Sequence, residues 1–224
     1  MELFDPVLLR SPLFDGMSEA DIRSVLTCMQ AVRRSYARRE TVLEAGQPAR
    51  WIGVVLRGSV RIEKLDYYGN RSVLATLDPP DLFGEAFACA GTQLSVRAEA
   101  AEESAVLLLD SRRITAPCAS CCPFHSRMIR NLMQVLARKN LLLNQKLEIV
   151  SRRTTREKLL AYFSAEARRV GSSDFTLPYD RQTLADYLGV DRSAMSAEIG
   201  RLRDDGLIEA DRRRIRLLRP EDGV

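Results

Sequence analysis

The feature that most constrains the fold is a stretch near the middle of the chain, CCPFHSRMIRNLMQVLARKNLLLNQKLEIVSRR, with no glycine and no proline after Pro123. Pro123 suits a first helical position, because its fixed φ fits a helix and its missing N–H would have no partner there. The stretch predicts one long helix over 123–151, about 40 Å at 1.5 Å per residue. Ile129, Leu132, Leu136, Asn140, Leu143, Leu147 and Val150 recur at spacings of three or four, the seam expected where two helices pair. Asn140 in mid-seam favours a dimer over packing on the chain's own domain, since a single polar seam residue sets register at some cost in stability. The dimer helix is read as Leu132, Leu136, Asn140, Leu143 and Leu147.

This helix separates two textures. Residues 12–36 read as one or two short amphipathic helices, with Ser18 as N-cap before EADIRSVL. From Arg39 to Asp110 come short β-rich runs, TVLEAG, WIGVVLRGSVRIEKL, RSVLATL and SAVLLLD, punctuated by Gly, Pro and Asp, a pattern that fits a roll or barrel. DYYGN, residues 66–70, reads as a hairpin turn with Gly69 in the special backbone position. After the helix, Thr154 and Glu157 form a capping box that opens a new helix and puts a hinge at 151–153.

The predicted class is α+β. An N-terminal β-roll, double-stranded and jelly-roll-like, occupies 1–122, the long dimerisation helix 123–151, and a winged helix-turn-helix 152–224. At 224 residues and 46% hydrophobic content the chain can bury two cores. It has no basic stretch followed by an apolar run at its start and nowhere eighteen consecutive apolar residues, which argues for a cytoplasmic protein without membrane contact. Five cysteines, an odd number, fit reduced cytosolic thiols better than a disulfide framework. The net charge of +4 permits nucleic acid without indicating it, and residues 151–224 carry 15 Lys plus Arg against 13 Asp plus Glu.

The indication is local. In DRQTLADYLGVDRSAMSAEIGRLRDDGLI, Leu184 and Leu188 face inward, Ala185 is small where a second helix must approach, Gly189 turns the chain, and Val190 plugs the corner. Met195, Ile199 and Leu202 then form the inward face of a second helix, the pattern of a helix-turn-helix. GLIEADRRRIRLL follows as two β-like runs, a wing. A recognition helix must present short donors and Arg at its N-terminal end, where the major groove admits it, and Arg192, Ser193 and Ser196 fall there. Arg181 and Gln182 are placed to reach phosphates, and Arg212, Arg213 and Arg214 to grip the flanking backbone of double-stranded DNA. The plain alternative is an amphipathic helical hairpin with a solvated charged face.

Two other function classes make different demands on the sequence. A small-molecule-binding or catalytic β-barrel with no DNA role would need a metal or acid/base site. His125 is the sole histidine and lies outside the β region, GxSxG, GxxxxGK[ST] and HExxH are absent, and Glu102, Glu103, Asp204 and Asp205 fall in turn-like or exposed contexts, so no enzyme is expected. A pure dimerisation protein with a vestigial helix-turn-helix would differ by lacking specific DNA binding.

The order β-roll, long helix, TTREK helix, RQTLADYLGVDRSAMS and wing, with Gly46, Gly58 and DLFGEAF at 81–87, resembles the Crp/Fnr family of transcription regulators over essentially the whole chain. The resemblance implies a homodimer on a two-fold symmetric promoter site, controlled by an effector that reorders the long helices, with RNA polymerase as a further partner. In the family's cyclic-AMP receptors, Gly-Glu is followed by Arg-Ser, the Arg pairing the cyclic phosphate and the Glu the ribose hydroxyl. Here Gly84 and Glu85 are present but the later stretch reads Gln93-Leu94-Ser95-Val96. Leu94 cannot neutralise a phosphate, and Arg97 needs a register shift to do so, hence no tight cyclic-AMP binding is expected. Gly84, Glu85, Ser95 and Arg97 are the effector-pocket candidates. Ala197 stands where many members place a base-reading Arg, and Glu198 where an inward apolar residue is usual, so the DNA sequence preference is not transferable.

Cys118, Cys121 and Cys122 precede the long helix, where exposed N–H groups favour a thiolate, and with Cys28 they are candidates for redox or metal chemistry. The bland reading makes Cys28 and Cys89 small core residues and the trio an ordinary loop. Oxygen-sensing relatives carry cysteines at the extreme N-terminus, and the first 27 residues here hold none. An iron-sulfur centre held that way is not expected, while an arrangement of Cys28, Cys118 and Cys121 or Cys122 stays open.

Overall fold

Ser18 opens the first α-helix through a reciprocal cap: its hydroxyl accepts from the Asp21 N–H at 3.3 Å, and the Asp21 carboxylate accepts from the Ser18 N–H at 3.0 Å. Helix α1 (Glu19–Cys28) then buries Ile22, Val25 and Leu26. The computed structural model describes residues 3–68, 71–115 and 123–218, which form two compact units, Met1–Arg138 and Lys139–Val224. The first unit continues as β1 (Val32–Tyr36), β2 (Thr41–Leu43), β3 (Trp51–Arg57), β4 (Val60–Leu65), β5 (Arg71–Leu77), β6 (Leu82–Phe83), α2 (Glu85–Ala90), β7 (Arg97–Ala100), β8 (Ser104–Asp110) and α3 (Ser111–Thr115). The expectation of helix through residue 36 is corrected: Val32–Tyr36 pairs antiparallel with β8, from Val32 opposite Leu108 to Tyr36 opposite Ser104.

Two four-stranded antiparallel sheets, ordered β1-β8-β3-β6 and β2-β7-β4-β5, pack face to face. Period-two alternation decides which side chain goes where. From β8, Val106 and Leu108 enter the space between the sheets with Val55, Val60, Ala98 and Ala100. Leu107 and Leu109, with Ile52 and Val54 of β3, point the other way into a cluster closed by Leu8, Phe14, Ile22 and Leu26. Both faces of β8 are thus covered, which is why its middle, AVLLL, is an unbroken apolar run. In the β4–β5 hairpin the Tyr68 N–H donates to the Asp66 carboxylate at 2.8 Å, while Gly69, expected at this turn, lies outside the described residues.

Helix α4 (Pro123–Val150) begins on the first unit, where Met128, Leu132 and Val135 are buried. Asn131 fastens it there, donating from Nδ2 to the Leu13 and Asp15 carbonyls at 3.0 Å each. Leu132, expected in the dimer seam, is 4% exposed within the first unit's core, and this placement is a correction. Its neighbour Met133 is 66% exposed. At about 100° per residue, Met133, Leu136, Asn140, Leu143 and Leu147 form a strict 3-4 stripe, whereas Leu132 lies off it on the side already covered. Leu143 and Leu147 are exposed, Leu136 is half-buried against the first core, and Asn140 accepts from Asn144 Nδ2 at 2.8 Å.

In the second unit the last turn of α4 contributes Ile149 to a core built from α5 (Thr155–Val170), β9 (Asp174–Thr176), α6 (Arg181–Leu188), α7 (Arg192–Asp204), β10 (Ile208–Asp211) and β11 (Arg214–Leu217). Thr154 and Glu157 form the reciprocal cap at the start of α5. The wing is three-stranded, ordered β10-β11-β9, and β9 had no signal in the sequence reading.

Candidate nucleic-acid interface and first-unit interior

Each helix of the helix-turn-helix starts at an aspartate. Asp180 accepts from the Thr183 N–H at 2.8 Å, and Asp191 from the N–H groups of Ser193 and Ala194 at 2.8 and 2.9 Å. These bonds favour the ionised form. The Thr183 backbone bond holds the Asp180 carboxyl below the usual carboxylate range, and the Ser193 hydroxyl does the same for Asp191. Between the helices Gly189, at φ +61°, supplies the left-handed turn that ends α6. Leu184, Ala185 and Leu188 pack on Met195, Ile199 and Leu202, with Val190 partly buried against them.

This packing turns the N-terminal end of α7 outward. Arg192, Ser193 and Ser196 are all exposed, as is Gln182, whose amide donates to Asp186 at 2.9 Å. The serines were expected as donors, and their hydrogens are engaged locally: Ser193 Oγ donates to the Asp191 carboxylate at 2.5 Å and Ser196 Oγ to the Arg192 carbonyl at 2.9 Å. Each hydroxyl therefore offers outward lone pairs, suited to a base-edge amino group.

Two arginines stand elsewhere than expected. Arg181, taken as a phosphate contact, is half-buried and donates from Nη2 to the Arg212 carbonyl at 2.9 Å, bracing the wing turn. Burial lowers its pKa, and its buried Nη1 has no partner among the described residues. Arg214, taken as a grip on the DNA backbone, makes a two-point pair with Asp174, Nε to Oδ1 at 2.9 Å and Nη2 to Oδ2 at 2.6 Å. The reason is cross-strand position, since β9 puts Asp174 beside β11. Arg212, at φ +49°, and Arg213 occupy the exposed turn of the wing.

Glu198, where an apolar residue was the norm, is 8% exposed. It lies 3.4 Å from Arg156 Nη1 and 2.7 Å from Arg201 Nη1, and Arg156 also pairs with Asp205 at 2.7 Å. Buried charge persists only with such partners. The network ties α7 to α5, and sequence reading missed Arg156 because its partners lie 42 and 49 positions away.

In the first unit, Gly84 (φ +78°) starts α2, and a Cβ there would come within 2.8 Å of the Trp51 carbonyl oxygen. Glu85 is buried and Ser95 exposed. Leu94 is 5% exposed among Val55, Phe83, Ala98 and Leu108 between the sheets. Arg97 does not share that interior, which corrects its assignment to the effector pocket. Ala98 and Ala100 of β7 face the interior, so alternation sends Arg97 and Glu99 to the opposite face. There Arg97 donates to Thr41 Oγ1 at 3.0 Å and pairs with Glu99 at 3.4 Å. Glu63 and Glu99, both nearly inaccessible, also face Arg71 at 3.3 and 3.9 Å, a network no local motif announced.

Cys28 and Cys89 are exposed, which corrects their reading as core residues: each falls on the outer face of a short helix. Although the residue is exposed overall, partial desolvation of the Cys89 thiol, with the neighbouring Glu85 carboxylate, pushes its pKa up, away from a reactive thiolate. Cys118, Cys121 and Cys122 lie outside the described residues. Among the described residues no group of three or more His, Cys, Asp or Glu is arranged to hold a metal ion, and no helix is long and apolar enough to cross a membrane.

Comparison with known proteins agrees with this geometry. FixK, the nitrogen fixation regulation protein of Rhizobium meliloti, is 28% identical over 169 residues, covering 75% of this chain and 74% of its own. FixK of Azorhizobium caulinodans is 28% identical over 199 residues, covering 84% and 76%. Among solved structures, the catabolite activator protein of Thermus thermophilus shares the fold at a TM-score of 0.51, with 24% identity and 94% of each chain covered. Residues 33–120 match the cyclic nucleotide-binding domain and residues 157–222 the Crp-like helix-turn-helix domain. With both domain models matched in that order over more than half of its length, the chain belongs to the Crp/Fnr family of helix-turn-helix transcription regulators.

Proposed function

We propose that the protein is a cytoplasmic homodimer that binds a two-fold symmetric promoter site and regulates transcription with RNA polymerase as partner, under an effector sensed in residues 1–122. Residues 123–151 relay the signal and 152–224 read DNA. The observation that carries this reading is the N-terminal end of α7, exposed at Arg192, Ser193 and Ser196 above a fully packed helix-turn-helix core. Arg192 reads a base edge, Ser193 and Ser196 accept from base amino groups, and Gln182, Arg212 and Arg213 contact phosphates.

The test is fluorescence anisotropy on a selected site and on unrelated DNA at fixed salt. Arg192→Ala weakens binding to the selected site by about 1–3 kcal/mol and leaves unrelated DNA nearly unchanged. Equal loss on both DNAs would make Arg192 a phosphate contact.

On this reading the protein does not bind cyclic AMP tightly. Leu94 fills the interior with hydrocarbon where a phosphate would need a positive partner, and Arg97 is committed to Thr41 and Glu99 on the opposite face. Calorimetric titration should show no tight binding, and micromolar affinity for cyclic AMP would overturn this.

A further inference from the structure

Every described glycine but one has a reason internal to the fold. Most sit at φ between +61° and +81°, where L side chains are strained, and at Gly53 a Cβ would come within 2.2 Å of the Phe83 ring. Gly200 has neither reason. It lies in the interior of α7, outside the positive-φ set. Beyond its chain neighbours and its own helix backbone, a Cβ there would meet nothing within 4 Å. Glycine is the least favourable residue after proline at such a position, because its backbone has the most freedom to lose. Alanine would fit the folded chain and strengthen the helix, so the fold alone does not ask for glycine here.

The place of Gly200 on the helix points to what does. At about 100° per residue it lies about 100° to 160° around the axis from Met195, Glu198, Ile199 and Leu202, the buried side of α7. It lies within about 20° of Ser193 and about 60° of Ala197, both exposed. Gly200 is thus on the side turned away from the helix-turn-helix core, the side whose N-terminal end carries Arg192, Ser193 and Ser196. Along the axis it stands about 12 Å beyond Arg192. The major groove is about 12 Å wide. A helix that meets base edges at its N-terminal end therefore brings its third turn to the groove wall, where the sugar-phosphate strand stands.

We infer that Gly200 is a positioning residue for DNA: its missing side chain lets a sugar-phosphate strand of double-stranded DNA pass against the backbone of α7 at the third turn, which seats Arg192 at the base edges. The partner is nucleic acid rather than a segment of this chain, because no other described segment approaches the Cβ position. Ala197, about one turn earlier, is also too short to hold the strand away. This rests on the DNA reading proposed above.

The experiment uses the full-length protein carrying Gly200→Ala or Gly200→Leu, with melting followed by circular dichroism and binding by fluorescence anisotropy on a selected site at fixed salt. Alanine and leucine are both better helix formers than glycine, so the melting temperature should rise by about 2–4 °C. Affinity should move the other way, falling about tenfold for Gly200→Ala and about a hundredfold or more for Gly200→Leu, as methyl groups are forced into a packed contact. Opposite signs in stability and affinity are what a purely structural glycine would not give. Unchanged affinity in either variant overturns the inference and leaves DNA reading by Arg192 standing. A loss of affinity matched by a lower melting temperature assigns Gly200 to the fold and overturns it too. If selection yields no DNA that the unmodified chain prefers to unrelated DNA, the DNA reading falls and this inference with it.

Discussion

Two leucines on the same helix, eleven positions apart, should respond to truncation in opposite ways. Leu143 is 67% exposed in the single chain, so pairing of two helices has about two-thirds of its side chain left to bury. Full burial of a leucine is worth about 1.5–3 kcal/mol, which makes this about 1–2 kcal/mol per copy. In the proposed two-fold dimer it counts twice, giving about 2–4 kcal/mol, or a roughly 30- to 700-fold rise in the dimer dissociation constant for Leu143→Ala. The melting temperature of the isolated subunit, measured at a concentration where it is monomeric, should barely move. Leu132 is 4% exposed among Leu8, Phe14, Ile22 and Met128, and Leu132→Ala removes core packing worth about 2–5 kcal/mol. Its effect is a lower denaturation midpoint of the monomer, with the association constant of the folded chain unchanged. Sedimentation equilibrium and urea unfolding separate the two. If Leu132→Ala dissociates the dimer at unchanged monomer stability while Leu143→Ala does neither, the stripe through Met133, Asn140 and Leu147 is wrong and the seam runs through Leu132.

Arg213→Ala should reduce the slope of log binding constant against log salt by about 1, whereas Arg214→Ala should leave it unchanged, because Asp174 already neutralises that guanidinium. The reverse result would restore Arg214 as the phosphate contact. Asp174, Asp180 and Asp191 all have lowered pKa values, through the Arg214 side chain, the Thr183 backbone and the Ser193 hydroxyl respectively. A carboxyl depressed in the folded state contributes stability that is full above its unfolded value of about 4 and is lost as pH falls through the folded one. The helix-turn-helix should therefore be as stable at pH 5 as at pH 7 by circular dichroism and weaken only below about pH 4, so weakening already at pH 5 would contradict it. Asn131→Ala should cost about 1–3 kcal/mol in urea unfolding, since it strips a donor from two carbonyls, and a neutral result would show that water replaces it readily.

Much of the helical structure could be read locally. A cap needs a hydroxyl or carboxylate a fixed few residues from the N–H groups it accepts, so Ser18 and Thr154 announced their helices in one short window. Leu184, Ala185, Gly189 and Met195 announced the helix-turn-helix for the same reason, since two helices and a tight turn are specified within a few turns of chain. The Gly- and Pro-free stretch announced the long helix.

What the sequence determined by itself was therefore each segment's periodicity, its start and its order along the chain. Only the tertiary structure decided which of two neighbouring side chains met a core. Leu132 and Met133 are both apolar and differ by one step around the helix, and the first unit's core took one and left the other exposed. Arg97 was chemically fit to meet a phosphate, but strand pairing set β7 so that Ala98 faces inward and Arg97 does not. Arg181 and Arg214 read as free cations until β9 and the wing turn brought Asp174 and the Arg212 carbonyl to them, 40 and 31 positions away. Spacing along a chain specifies what a segment can bury, and the partner it buries against comes from distant segments whose register no local pattern encodes.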